Sequence, residues 1–123
     1  MMKIKMIMST TNIEYLKASA VESVVSTYSG LVVIECYKYS KGPLFIMEPI
    51  FKRLQELSNI KMKHFRIDLL ENPEVEDVYH LVVVPCYLVF TNHKLIDKIY
   101  GVTQFHEYLM NLEKQSKNIL MYE

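Results

Sequence analysis

Residues Leu31–Tyr37 read L-V-V-I-E-C-Y, an apolar run with two valines and an isoleucine in succession. A strand exposed on one face alternates apolar and polar residues. A continuous run of this length is instead the pattern of a central strand covered on both faces, and such strands occur in sheets flanked by helices. The segments before and after it supply the other layers. Lys3–Met8 alternates lysine with apolar residues and predicts a half-buried edge strand. Thr11 and Glu14 have capping-box spacing, and Ile13, Leu16, Ala20, Val21, Val24 and Val25 follow at helical spacing. A helix is therefore expected from Thr11 to about Tyr28, before Ser29-Gly30. Beyond the central strand, Tyr39–Pro43 is a turn. A second helix begins near Pro43, carries Ile46, Ile50, Leu54 and Leu57 on one stripe, and is kinked by Pro49.

Met62–Leu69 reads as a strand, Asn72-Pro73 starts a short helix through Tyr79, and Val82–Phe90 is strongly β apart from Pro85. Asn92-His93 forms a hairpin turn leading to Leu95–Tyr100. Gly101 breaks that strand. Thr103–Lys114 makes a last helix with Phe105, Tyr108, Leu109 and Leu112 inward. The order β-α-β-α-β-α-β-β-α predicts an α/β fold with a mixed sheet and helices on both faces. Residues 1–114 form the domain and residues 115–123 a C-terminal tail.

Charge and cysteine usage narrow the function classes. The 14 basic and 14 acidic residues balance, so a nucleic-acid backbone is not the expected partner. No run approaches the roughly 18 apolar residues of a membrane span, and MMKIKMIMSTTN has no apolar stretch of signal-peptide length. A cytoplasmic protein is expected, with the nucleus left open. Cys36 and Cys86 make no C-x-x-C, and His64, His80, His93 and His106 are scattered, so no zinc-ligand spacing occurs. No metal or cofactor is expected.

The segments L-V-V-I-E-C-Y, K-G-P-L, V-V-V-P-C-Y-L-V-F and Y-G together resemble the thioredoxin family. The resemblance covers about residues 3–114. From Leu31 to Gly101 it runs without a gap, on Val32-Val33, Gly42-Pro43, Pro49, Asp68, Asn72-Pro73, Tyr79, Pro85, Phe90, Asn92 and Gly101. It implies a thioredoxin-like fold with a central mixed five-stranded sheet. The family's W-C-G-P-C motif falls on Ser40-Lys41-Gly42-Pro43-Leu44, so Lys41 and Leu44 stand where the two cysteines would be. Reducing a disulfide requires a thiolate to attack and a second thiol to resolve the mixed disulfide. A redox-inactive member lacking C-x-x-C is therefore expected. The family's buried aspartate falls on Glu35 and a neighbouring lysine on Arg66, which implies a buried ion pair between them. Pro85 falls on the family's cis-proline, and Val84 before it offers backbone hydrogen bonds to an extended segment.

These readings lead to a non-catalytic protein-binding module of the co-chaperone or assembly-factor type. Its expected docking face, for a protein partner of unknown identity, is Tyr39, Ser40, Lys41, Gly42, Pro43, Leu44, Val84, Pro85, Gly101 and Val102. Val32-Val33 and Tyr37-Lys38 resemble the phosducin-like branch of the fold, and Pro85-Cys86 the spliceosomal branch. No catalytic residue and no dithiol–disulfide oxidoreductase is expected. The alternative is a monothiol redox protein or thiol-dependent oxidoreductase using Cys86, the candidate reactive thiol. A Cys36–Cys86 disulfide requires the strands to pair as in the family, and an intracellular setting disfavours it.

Overall fold

A computed structural model describes residues 13–38 and 62–122. The expected strand at Lys3–Met8, the turn at Tyr39–Pro43 and the helix carrying Ile46 to Leu57 lie outside these residues. The described strands are β1 (Ile13–Tyr15), β2 (Leu31–Tyr37), β3 (Met62–Asp68), β4 (Cys86–Thr91) and β5 (Lys94–Tyr100). The helices are α1 (Val21–Thr27), preceded by a 3-10 turn at Ala18–Ala20, α2 (Glu74–Val78) and α3 (Val102–Tyr122). The strands form one five-stranded sheet in the order β1-β3-β2-β4-β5. β1 and β2 each run parallel to β3, whereas β4 is antiparallel to both β2 and β5. The sheet is therefore mixed, and β2 lies at its centre, as the unbroken apolar run requires.

Alternation along the strands divides the core between two faces. Val32, Ile34 and Cys36 of β2 join Phe65, Ile67, Cys86 and Leu88 on one face, under Val21 and Val25 of α1 and Val75 of α2. Val33 joins Tyr87, Val89 and Ile99 on the other, under Phe105 and Leu109 of α3. Helices thus cover both faces. Asn72 ties the 3-10 turn before α1 to the end of β3: its Oδ1 accepts from the Ala18 amide at 2.9 Å, and its Nδ2 donates to the Asp68 carbonyl at 3.0 Å.

Three elements differ from the sequence expectation. Ile13–Tyr15 is an edge strand rather than the first turn of a helix. It pairs with His64–Arg66, and the Leu16 amide extends the pairing to the Arg66 carbonyl at 2.8 Å. Isoleucine and tyrosine suit a strand, and three ladder positions outweigh one capping turn. β4 starts at Cys86 instead of Val82, because Pro85 has no N–H to give to a ladder. α3 runs on to Tyr122 instead of stopping at Lys114, and no glycine or proline between Gln115 and Tyr122 interrupts it.

Candidate functional site

Two neighbouring rows of side chains cross the sheet at the C-terminal end of β2. In the first, Tyr15, Arg66, Glu35, Tyr87 and Ile99 occupy successive register positions from β1 to β5. Register alone places Glu35 between Arg66 and Tyr87. Arg66 Nε donates to Glu35 Oε1 at 2.6 Å, and Tyr87 Oη donates to Glu35 Oε2 at 2.6 Å. All three side chains are fully buried. The Arg66 guanidinium lies 3.9 Å from the Tyr37 ring centroid and 5.8 Å from that of Tyr15. Burial pulls this guanidinium down, but the charge of Glu35 and hydrogen bonds to Glu35 and Tyr15 outweigh it and hold Arg66 above its usual value. Burial, then the hydrogen bond to Glu35 and its charge, push the Tyr87 hydroxyl far up, so it remains a proton donor.

The expected pairing of Glu35 with Arg66 is therefore joined by Tyr87, which the sequence reading did not single out, and by the ring of Tyr37, which it did not place beside Arg66. A tyrosine on a strand buried on both faces has to find a partner for its hydroxyl. That signal was available at Tyr87 once β4 was set antiparallel to β2.

The second row contains the cysteines. Cys36 of β2 faces Cys86 of β4 directly in the antiparallel register, on the face covered by α1 and α2. Both are free thiols and fully buried. Burial pushes the Cys86 thiol up to about 11, and the Lys98 ammonium partly offsets this. Cys36 is pushed further up, by burial first and then by the charges of Cys86 and Glu35.

The loop before Cys86 holds part of the expected docking face. The Val84–Pro85 bond is cis. The Gly101 amide donates to the Pro85 carbonyl at 2.9 Å, which brings Val84-Pro85 and Gly101-Val102 together. Gly101 has φ +91, so glycine is required there by conformation and not by space, since an added Cβ would meet nothing within 4 Å. Val102 is exposed, and Val82 and Val83 of the same loop are 82% and 53% exposed. The expected contributors Tyr39, Ser40, Lys41, Gly42, Pro43 and Leu44 lie outside the described residues.

A cleft of about 440 Å³ opens between Tyr15 and Tyr37, with Lys17, Asp68 and Glu71 on its polar side. Among the described residues its lining contains no cysteine or histidine. Among the described residues, no group of three or more His, Cys, Asp or Glu is placed to hold a metal ion. No helix among them is long and apolar enough to cross a membrane.

His64, beside Glu35 and Arg66 on the α3 side of the sheet, makes the fold sensitive to acid. Burial, and then the Lys63 charge, push its imidazole down to about 4 from the usual 6.5. Between those two values the unfolded chain takes up a proton that the folded chain refuses. Stability attributable to His64 is therefore present above pH 6.5 and falls as the pH drops towards 4, by roughly 3 kcal/mol in full. Urea unfolding across this range should show a steeper acid loss for the wild type than for His64→Gln. Equal slopes would refute the assignment.

No protein-family model matches the chain. It is 33% identical over 73 residues to human thioredoxin domain-containing protein 3, covering 58% of this chain and 12% of that protein. It is 24% identical over 106 residues to the chloroplast thioredoxin M2 of Arabidopsis thaliana, covering 86% of this chain and 57% of that one. The chain thus spans less than two thirds of each of these relatives. Among solved structures it resembles oxidised mitochondrial thioredoxin 3 of Saccharomyces cerevisiae with a TM-score of 0.61 and 22% identity, over 89% of this chain and 98% of that one.

These findings correct the expectation of a non-catalytic binding module. The relatives and structural neighbours carry the thioredoxin name, and redox function of that kind fits them better than a module that only binds. The expectation rested on the missing C-x-x-C at Ser40–Leu44. The fold is that of a thioredoxin, and the relatives that the chain resembles in sequence carry the thioredoxin name.

Proposed function

We propose that the chain is a thiol-dependent oxidoreductase on a thioredoxin fold, with Cys86 as its working thiol and a disulfide-bearing protein as its substrate. The observation that carries this reading is the placement of Cys86. It follows the cis Val84–Pro85 bond at the first position of β4, behind a loop whose Val82 and Val83 side chains are already in solvent. The chemistry is thiol–disulfide exchange. The Cys86 thiolate attacks one sulfur of the substrate disulfide, the S–S bond breaks, and a mixed disulfide forms on Cys86. The departing thiolate takes up the proton that Cys86 gave up.

Burial sets the pace. With its thiol near 11, Cys86 is ionised at neutral pH in on the order of one molecule in ten thousand. The side chain has no exposed surface, so attack requires local opening of the loop before it. Exchange is thus slow at pH 7 and accelerates in alkali, by about tenfold per pH unit while the thiolate fraction limits it. Lys98 is the cation that favours ionisation, and it is held near the site by donating to the Tyr79 carbonyl at 2.9 Å.

Incubation of the full chain with oxidised glutathione, followed by acid quenching and mass spectrometry, tests the reading. Cys86 should be oxidised, as a mixed disulfide with glutathione or as a disulfide that follows from it, faster at pH 9 than at pH 7, and all exchange should vanish in Cys86→Ser. A folded wild-type protein that exchanges at neither cysteine at pH 9 would overturn it.

A further inference from the structure

We infer that Cys36 is the resolving thiol for Cys86, and that the two close into a cross-strand disulfide between β2 and β4. This rests on the reading of Cys86 as the working thiol and adds the second half of the reaction. The two residues are direct partners in the antiparallel ladder and share one sheet face. Directly opposed residues in such a ladder have Cα atoms about 4.5–5.5 Å apart, inside the roughly 4.4–6.8 Å that a disulfide spans. The register therefore puts the two Cα atoms within disulfide range. The sequence contains two cysteines, and the fold sets them face to face.

The surroundings favour the product. Along the same row, Cys36 is flanked by Ile67 on β3 and Cys86 by Tyr100 on β5. Leu88, Ile34 and Val75 belong to the same buried cluster. Apolar packing of this kind penalises a thiolate but not a disulfide, which carries no charge. In the resolving step Cys36 loses its proton and attacks Cys86 Sγ of the mixed disulfide. The Cys86–substrate S–S bond breaks and the Cys36–Cys86 bond forms. The second substrate sulfur leaves as a thiolate and takes up the proton. The substrate disulfide has then gained two electrons and two protons to become two thiols, and the protein has lost them. A low-molecular-weight thiol or dithiol reverses the change on the protein.

Oxidised glutathione is again the probe, with wild type, Cys36→Ser, Cys36→Ala and Cys86→Ser treated in parallel at pH 9. Peptide mapping under non-reducing conditions reads where each sulfur ends. The wild type should finish with a Cys36–Cys86 disulfide and little retained glutathione. Both Cys36 variants should retain glutathione on Cys86, at several times the wild-type occupancy. Cys86→Ser should take up no glutathione, because Cys36 reacts only with a mixed disulfide already on Cys86. Two Cys36 variants are used because a serine hydroxyl in this apolar row destabilises the fold more than alanine does, and circular dichroism selects the folded one. Wild type that keeps glutathione on Cys86 as fully as the Cys36 variants would overturn the resolving role and leave Cys86 as a single working thiol. Exchange at neither cysteine would overturn the reading of Cys86 itself.

Discussion

Glu35→Ala should lower the stability of the folded protein by about 3–5 kcal/mol, the range for removing one partner of a buried ion pair. The size follows from what the carboxylate does at the middle of the sheet. Its two oxygens accept from Arg66 Nε and Tyr87 Oη, each at 2.6 Å, with all three groups out of water. Truncation leaves a guanidinium on the α3 side of the sheet without its counter-charge. Stacking on Tyr37 remains, but a ring face is a weaker partner than a carboxylate. The Tyr87 hydroxyl loses its acceptor in the same step, at the cost of a buried donor left unsatisfied. The double variant Glu35→Leu/Arg66→Met separates the charge effect from simple loss of volume. Replacing both charges by apolar side chains removes the desolvation penalty along with the attraction, so it should recover more than half of the loss. Urea unfolding of the three proteins decides it. A loss below about 1 kcal/mol for Glu35→Ala would show that water reaches the pair and screens it.

How much of this arrangement could be read from the sequence depends on how local its cause is. Leu31–Tyr37 was legible as the central strand because burial on both faces writes itself into consecutive residues. The hairpin at Asn92-His93 was legible too, since its φ values of 49° and 69° call for residues that tolerate the left-handed region, and asparagine is one. β1 was not. Its three residues fit the start of the helical pattern that continues through Leu16 and Val21, and what makes them a strand is pairing with β3, about fifty residues later in the chain. Val82–Val84 read as strand because valine favours strands, yet Pro85 ends the ladder at Cys86.

The site divides in the same way. The Glu35–Arg66 pairing followed from the resemblance, which fixed the register of β2 against β3. The opposition of Cys36 and Cys86 depends on the register of β2 against β4, which the resemblance offered only as a condition and the antiparallel ladder supplies. The stretch 40–44 carries no cysteine. Losing a C-x-x-C removes one pair of thiols, and it says nothing about a pair that two other strands bring together.

Phe105→Ala should cost about 3–5 kcal/mol, the range for truncating a fully buried aromatic ring. Phe105 lies in the first turn of α3, where its amide donates to the Gly101 carbonyl at 3.1 Å. Its ring stacks on Tyr87 with centroids 4.0 Å apart and planes 5° from parallel, and the Tyr108 ring centroid lies 6.2 Å away. The ring therefore both fills the interface between α3 and the sheet and covers the phenol that donates to Glu35. Removing it opens a cavity and gives water a route to Tyr87, so two mechanisms add. They can be told apart. Phe105→Leu restores most of the lost volume without the stacked face, and should recover the larger part of the stability if the cavity dominates. Tyr87 reports the second mechanism, because a wetted phenol titrates closer to its usual 10 than the buried one does. Ultraviolet titration below the unfolding pH should then show one more tyrosine ionising in Phe105→Ala than in the wild type. Unchanged stability in Phe105→Ala would show that α3 is held to the sheet chiefly by Leu109 and its neighbours, and that the Tyr87 stack contributes little.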